Sequence, residues 1–239
     1  MLIDLDARCV TEGVANSRFH TIEVFECLDS THTALVARGA PSGVVVVADI
    51  QTQGRGRLSR KWVAEPGEAL LFSASCAVEQ PHLAGFAMAV AVVNALDEFG
   101  VHASIKWPND LVYGDKKVGG ILGEVVKSVD GSARVVVGCG INVSGAPNVK
   151  GEGGLESGCL GLAIRRDDLL IKILLAFEQV VDSESLIETL RDRCITLNRL
   201  VRVELSTMTH EGIAESIADS GELIVDGHSI SAGDVIHCT

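Results

Sequence analysis

The sequence predicts an α+β protein: a mixed sheet packed with helices on one side, then a small C-terminal β-barrel. Three observations carry this. Val44-Val45-Val46-Val47 is an unbroken apolar run of the kind that forms a buried strand. Two long stretches, Pro81–Phe99 and the one starting at Asp167, repeat apolar residues at helical spacing. Beyond Leu197, short β-type runs follow one another with no helical pattern between them: Leu200–Glu204, Gly212–Ala218, Glu222–Val225 and Asp234–His237. The chain is therefore divided into residues 1–196 and residues 197–239.

Taken in order, a short helix is expected near Ala7–Ser17, and Ile22, Val24 and Phe25 predict a strand ending at Leu28-Asp29-Ser30-Thr31. Ser30 or Thr31 would cap the helix begun by Ala34-Leu35-Val36; a cap also points polar groups at any ligand nearby. Val44–Ile50 is the next strand, with Leu70–Ser75 as its neighbour. The Pro81–Phe99 helix stops at Gly100. Ser104–Trp107 opens another strand, and Trp107-Pro108 is an extended step. Gly114-Asp115 and Asp130-Gly131 are hairpin-type turns leading into Lys117–Val126 and Arg134–Gly138. Residues 144–161 read as loop, with six glycines. The Asp167 helix is amphipathic with an acidic start, and a further helix covers Ser185–Arg193. Asp226-Gly227 is a hairpin turn inside the C-terminal barrel.

Composition narrows the function classes. The chain has 239 residues, 47% of them hydrophobic, enough for a substantial core. Only 4% are aromatic, so that core must be aliphatic. A net charge of −12 has the wrong sign for a general nucleic-acid binder. The seven cysteines form no C-x-x-C pair and read as free thiols, not a zinc site. Leu83–Val93, the longest apolar run, has 11 residues, short of the ~20 a membrane span requires. No secretory leader is evident. A soluble cytoplasmic protein is expected.

Against this acidic background one stretch stands out. Gly54-Arg55-Gly56-Arg57-Leu58-Ser59-Arg60-Lys61-Trp62 packs two glycines, four cations and an indole into nine residues. Glycine lets backbone approach a ligand, arginine forks match phosphate and carboxylate oxygens, and an indole can cover a flat ring. The same stretch would also serve as a solvated turn. No G-x-x-x-x-G-K-[ST] motif exists, and Gly54-x-Gly56-x-x-Ser59 lacks the third glycine of a dinucleotide fingerprint.

Further clusters are Leu28-Asp29-Ser30-Thr31, Lys106-Trp107-Pro108-Asn109-Asp110, Lys116 to Glu124 with Gly119-Gly120, and Gly138-Cys139-Gly140-Ile141-Asn142. With the basic loop, and in this order, they resemble the biotin–protein ligases, in the short form that lacks an N-terminal DNA-binding domain. The resemblance runs from about Glu23 to the C-terminus. It implies a class II synthetase-like fold with an SH3-like C-terminal barrel. It also implies a two-step reaction: biotin and ATP give biotinyl-5′-AMP and pyrophosphate, then a lysine of a biotin carboxyl carrier protein domain takes the acyl group. ATP, Mg²⁺ and biotin are the implied small molecules. No nucleic acid or membrane partner is implied, and the chain is a monomer or homodimer. A lipoate or octanoate ligase of the same fold, or a silent biotin-binding module, are the alternatives.

The resemblance assigns roles residue by residue. Lys117 and Arg57 are the implied catalytic cations. Ser30, Thr31, Gln51, Arg55, Gly56, Arg57, Lys117, Gly119 and Gly120 would bind biotin. Arg57, Trp62, Asn109, Lys117 and Asn142 would bind the nucleotide. Asp110 either caps a turn or holds Mg²⁺, and Trp62 either covers the adenine or belongs to the core. The chain departs from the family pattern at His32, where asparagine is usual, and at Ser59, where glycine is usual.

Overall fold

The structure is a computed structural model that describes residues 4–127, 133–147, 155–205 and 208–238. The chain opens with α1 (Ala7–Gly13), β1 (Thr21–Leu28), α2 (Thr31–Ala37), β2 (Val44–Gln51), β3 (Ala69–Cys76) and α3 (Ala84–Asp97). It continues with β4 (Ser104–Lys106), β5 (Asp110–Tyr113), β6 (Lys116–Lys127), β7 (Ala133–Asn142), β8 (Glu156–Ser157), α4 (Arg166–Val180) and α5 (Leu186–Arg193). It closes with β9 (Leu200–Glu204), β10 (Thr209–Ile217), β11 (Leu223–Val225), β12 (His228–Ile230) and β13 (Asp234–His237).

The first sheet has the order β1-β2-β3-β7-β6-β5-β4, with β8 attached to β6. It is mixed as expected: β1–β2 and β6–β8 are parallel, the other pairs antiparallel. The valine run of β2 is apolar throughout because both of its faces are covered. Val45 and Val47 join the large core under α3 and α4, whereas Val44 and Val46 pack with Leu35, Ala40 and Val136 under α2. The expectation of helices on one side is thus corrected: α2 covers the opposite face, and its seven residues were too few to betray that by periodicity. Helix α3 is buried nearly all round, and its alanines let it lie close to the sheet.

The turn glycines sit where the sequence puts them. Gly114 has φ 62°, and Asp226 and Gly227 have φ 46° and 75°, the two positive angles of a tight hairpin. The Trp107–Pro108 peptide is cis, where an extended step was expected. The Asp130-Gly131 turn lies outside the described residues, as does part of the glycine-rich loop. Strands β5, β8 and β12 had no counterpart in the sequence reading.

The second sheet, β12-β11-β10-β9-β13, is antiparallel and belongs to the same apolar core as the first, through Val201, Val203, Ala214 and Ile217. Polar contacts reinforce the joint. The buried Trp107 indole N–H donates to the Gly221 carbonyl at 3.0 Å, and the Trp107 backbone N–H donates to Thr196 Oγ1 at 3.0 Å. His237 Nε2 lies 3.4 Å from the same hydroxyl. Burial, with Lys106 and Arg199 adding repulsion, pulls the His237 imidazole from 6.5 down to about 4. In the folded state it therefore stays neutral where the unfolded chain takes up a proton. Its contribution to stability is present above pH 6.5 and is lost as pH falls toward 4. Urea unfolding across that window should show stability falling with acid, less steeply for His237→Gln; identical slopes would contradict the assignment.

Candidate active site

Strands β6 and β7 meet along a glycine-rich strip. Gly120 pairs with Gly140 in register, and Leu122 with Gly138. Above this strip lies a cavity of about 380 Å³. A Cβ on Gly140 would stand 2.6 Å from Trp62 Cε2, and one on Gly138 would stand 3.2 Å from both His32 Nδ1 and Ser73 Oγ. Glycine is thus what lets the indole and the polar groups lie against the sheet. Gly119 has a different part. It is buried between β5 and β7, where a Cβ would meet Leu111 Cδ1 and the Gly140 carbonyl at 2.8 Å, and it does not line the cavity.

One end of the cavity is closed and polar. Ser30 caps α2, its Oγ accepting from Thr33 N–H at 3.3 Å. Thr31 donates to Gln51 Oε1 through its backbone N–H at 2.8 Å and through its hydroxyl at 3.2 Å. Ser73 Oγ lies 2.8 Å from Thr31 Oγ1, and His32 Nε2 lies 3.0 Å from Glu124 Oε2. Ser30, Thr31, His32 and Ser73 are all buried. Burial holds the His32 imidazole below its ordinary value, against the pull of Glu124.

The basic loop folds back over the cavity mouth. Gly56 N–H donates to the Arg60 carbonyl at 2.8 Å, Trp62 N–H donates to the Gly54 carbonyl at 2.9 Å, and Arg55 bridges Lys61. At the tip, Leu58 and Ser59 have φ 53° and 61°. The residue departing from the family pattern therefore sits in a conformation that favours glycine, at a cost of about 1 kcal/mol. Arg57 Nη1 donates to Asn109 Oδ1 at 3.2 Å. Arg60 forms a two-pronged pair with Asp234 of β13, one prong at 2.9 Å. Burial draws the Arg57 guanidinium below its usual range, with Asp234 and Asp110 opposing and Arg60 adding to the shift.

Lys117 Nζ lies 2.5 Å from Asp110 Oδ1. Lys106 is buried, and burial, with Lys117 beside it, lowers its ammonium below the ordinary lysine value against the pull of Asp110 and Asp234. Asn142 Nδ2 donates to the Gly158 carbonyl at 2.9 Å, leaving Oδ1 buried without a partner among the described residues. Trp62 lines the cavity and also rests on Gly120 and Gly140, and its Nε1 is buried without a partner among the described residues. Among the described residues no group of three His, Cys, Asp or Glu side chains could hold a metal ion.

The structure thus gathers Ser30, Thr31, Gln51, Arg55, Gly56, Arg57, Trp62, Asn109, Asp110, Lys117, Gly120 and Asn142 around one cavity and leaves Gly119 beneath it. Sequence reading did not single out Ser73 or Asp234, and it took Arg60, Lys106, Gly138 and Gly140 only as members of their motifs.

Residues 24–142 match the biotin/lipoate A/B protein ligase family. A biotin–[acetyl-CoA-carboxylase] ligase of Mycobacterium tuberculosis is 31% identical over 98% of this chain and 96% of its own length. The chain belongs to the biotin/lipoate A/B protein ligase family. It is similar over a shorter reach to the bifunctional ligase/repressor BirA of Bacillus subtilis, 35% identical over 66% of this chain and 51% of that protein; the chain spans about half the length of that relative. Among solved structures, the biotin protein ligase of Aquifex aeolicus, in complex with biotin and ATP, superposes with a TM-score of 0.76 at 26% identity, covering 91% of this chain and 98% of that one. The family match takes in every cavity residue predicted from the sequence, whereas Asp234 lies beyond it.

In this ligase the tie between Arg60 of the loop and Asp234 of the second sheet is testable. A half-exposed, two-pronged ion pair contributes about 1 kcal/mol, roughly fivefold in a loop-opening equilibrium. Asp234→Ala should therefore speed tryptic cleavage between Arg57 and Lys61 about fivefold, and an unchanged rate would contradict the tether.

Proposed function

We propose that this ligase activates biotin as biotinyl-5′-AMP and transfers the acyl group to a lysine of a biotin carboxyl carrier protein domain. The relatives' names supply the substrate class: a biotin–[acetyl-CoA-carboxylase] ligase, and a neighbour described in complex with biotin and ATP. The observation that carries the reading is the convergence of Arg57, Lys106 and Lys117 on one cavity in a chain of net charge −12.

The chemistry needs that convergence. A biotin carboxylate oxygen attacks the α-phosphorus of ATP, the bond to the β-phosphate oxygen breaks, and pyrophosphate leaves. Nucleophile and target are both anionic, so fixed cations lower the barrier where charge builds on phosphoryl oxygens. In this assignment Lys117 stands between carboxylate and α-phosphate, held by Asp110 until the nucleotide arrives. Arg57, positioned by Asn109, takes the phosphate side. Magnesium enters with ATP, and Asp110 is the carboxylate beside its path. Asn142 Oδ1 and Trp62 face the nucleotide, while the polar closed end takes the ureido ring. In the second step the carrier amine attacks the acyl carbon and AMP leaves. Residues 1–196 carry this chemistry, and residues 197–239 brace the loop through Asp234.

Mass spectrometry of a carrier domain incubated with the ligase, biotin and ATP tests the reading; a biotinylated lysine is expected. Lys117→Ala should slow its formation at least ~100-fold, the scale of losing one preorganised electrostatic contact. A carrier that stays unmodified with wild type would overturn the assignment, and a variant within threefold of wild type would remove Lys117 from its role.

A further inference from the structure

The closed end of the cavity can be read for hydrogen-bond polarity, and the result is one-sided. The Thr31 backbone N–H needs an acceptor, which fixes the Gln51 side chain with its oxygen toward Thr31. That oxygen also lies 3.2 Å from the Thr31 hydroxyl, so the hydroxyl hydrogen points to Gln51. Ser73 Oγ, 2.8 Å from the Thr31 oxygen, then donates to it and keeps its own lone pairs open. The chain of protons runs from Ser73 to Thr31 to Gln51, away from the ligand space.

His32 adds to the same polarity. Its Nε2 faces the Glu124 carboxylate at 3.0 Å, and a carboxylate accepts, so Nε2 carries the hydrogen. Neutral imidazole then has a bare lone pair on Nδ1. His32 is 3% exposed and lines the cavity, and Nδ1 is buried without a partner among the described residues. Its position is fixed over the glycine strip, 3.2 Å from where a Gly138 Cβ would stand, beside Ser73 Oγ. A buried acceptor with no donor is costly, and it selects a ligand that brings one.

We infer that His32 is a specificity-determining residue of this ligase: its Nδ1 accepts a hydrogen bond from a ureido N–H of biotin, with Ser73 Oγ as a second acceptor beside it. This rests on the biotin reading above and refines it. A cyclic urea offers two N–H donors to an end of the cavity that presents acceptors. The dithiolane ring of lipoate and the methyl end of octanoate offer none, so each would leave Nδ1 unpaired. The departure from the usual asparagine is thereby a working substitution: one polar acceptor replaces another, with Glu124 fixing its tautomer.

Calorimetric titration tests this with wild type, His32→Leu and His32→Asn. The probes are biotin and its two cyclic carbamate analogues, each with a ring oxygen in place of one ureido N–H. Wild type should bind biotin, and His32→Leu should bind it about 10- to 100-fold more weakly, the scale of one buried hydrogen bond to a group otherwise left unpaired. His32→Asn should recover most of that loss. One carbamate analogue should be weakened at least ~10-fold against wild type and much less against His32→Leu, because its donor then has no partner to lose. The inference is overturned if His32→Leu binds biotin within threefold of wild type, or if both analogues lose the same factor against both proteins. If the leucine variant does not fold, His32→Phe, which also lacks the acceptor, replaces it under the same criteria for support and refutation. Failure of wild type to bind biotin at all would instead overturn the proposed function itself.

Discussion

An acidic chain holds Arg57, Arg60, Lys106 and Lys117 around a single cavity, and most of the structure nearby is arranged to make that tolerable. Like charges a few ångströms apart repel by several kcal/mol at the effective dielectric of a protein, about 20. Each cation therefore needs a partner that does not consume it. Asp110 faces Lys117, Asn109 accepts from Arg57, and Asp234 takes Arg60. Of these, Asp234 comes from the second sheet. Docking of β13 is thus part of how the first sheet keeps its basic loop folded, which gives the Trp107 joint and the shared core a functional consequence. The glycine strip is the other half of the arrangement. Without Gly138 and Gly140 the indole and the polar end could not reach the sheet, and the cations would surround a filled space.

Much of the fold was legible where local signals are strong. The valine run, the helical repeat of α3 and the positive-φ turns at Gly114 and Gly227 each follow from a few adjacent residues. The motifs of the cavity were legible too, since each is contiguous in sequence. What escaped reading depends on facing or on distance. In β3 every residue is buried, so no alternation marks Ser73 as pointing into the cavity. Arg60 and Asp234 are 174 positions apart, and no local pattern links them. Helix α2 is too short to reveal which face of the sheet it covers, and β5 and β12 are short runs beside stronger turn signals. Gly119 and Gly120 look equivalent in sequence, yet strand alternation puts only the second on the cavity.

The two departures from the family pattern prove informative in different ways. Ser59 occupies a left-handed turn tip that glycine would adopt without strain, at some cost in stability. His32 keeps a polar group where the usual asparagine stands and turns a bare nitrogen toward the ligand space. Neither removes a cation, and both leave the electrostatic arrangement intact.

That arrangement has one purpose in the reading given above, which is to let a carboxylate attack a phosphate. The most direct measurement is exchange of labelled pyrophosphate into ATP by the purified chain, with biotin, lipoate and octanoate tested in parallel. Exchange driven by biotin alone is the expected result. Exchange driven by lipoate or octanoate but not by biotin, or none with any of the three acids while biotin still binds, would contradict it.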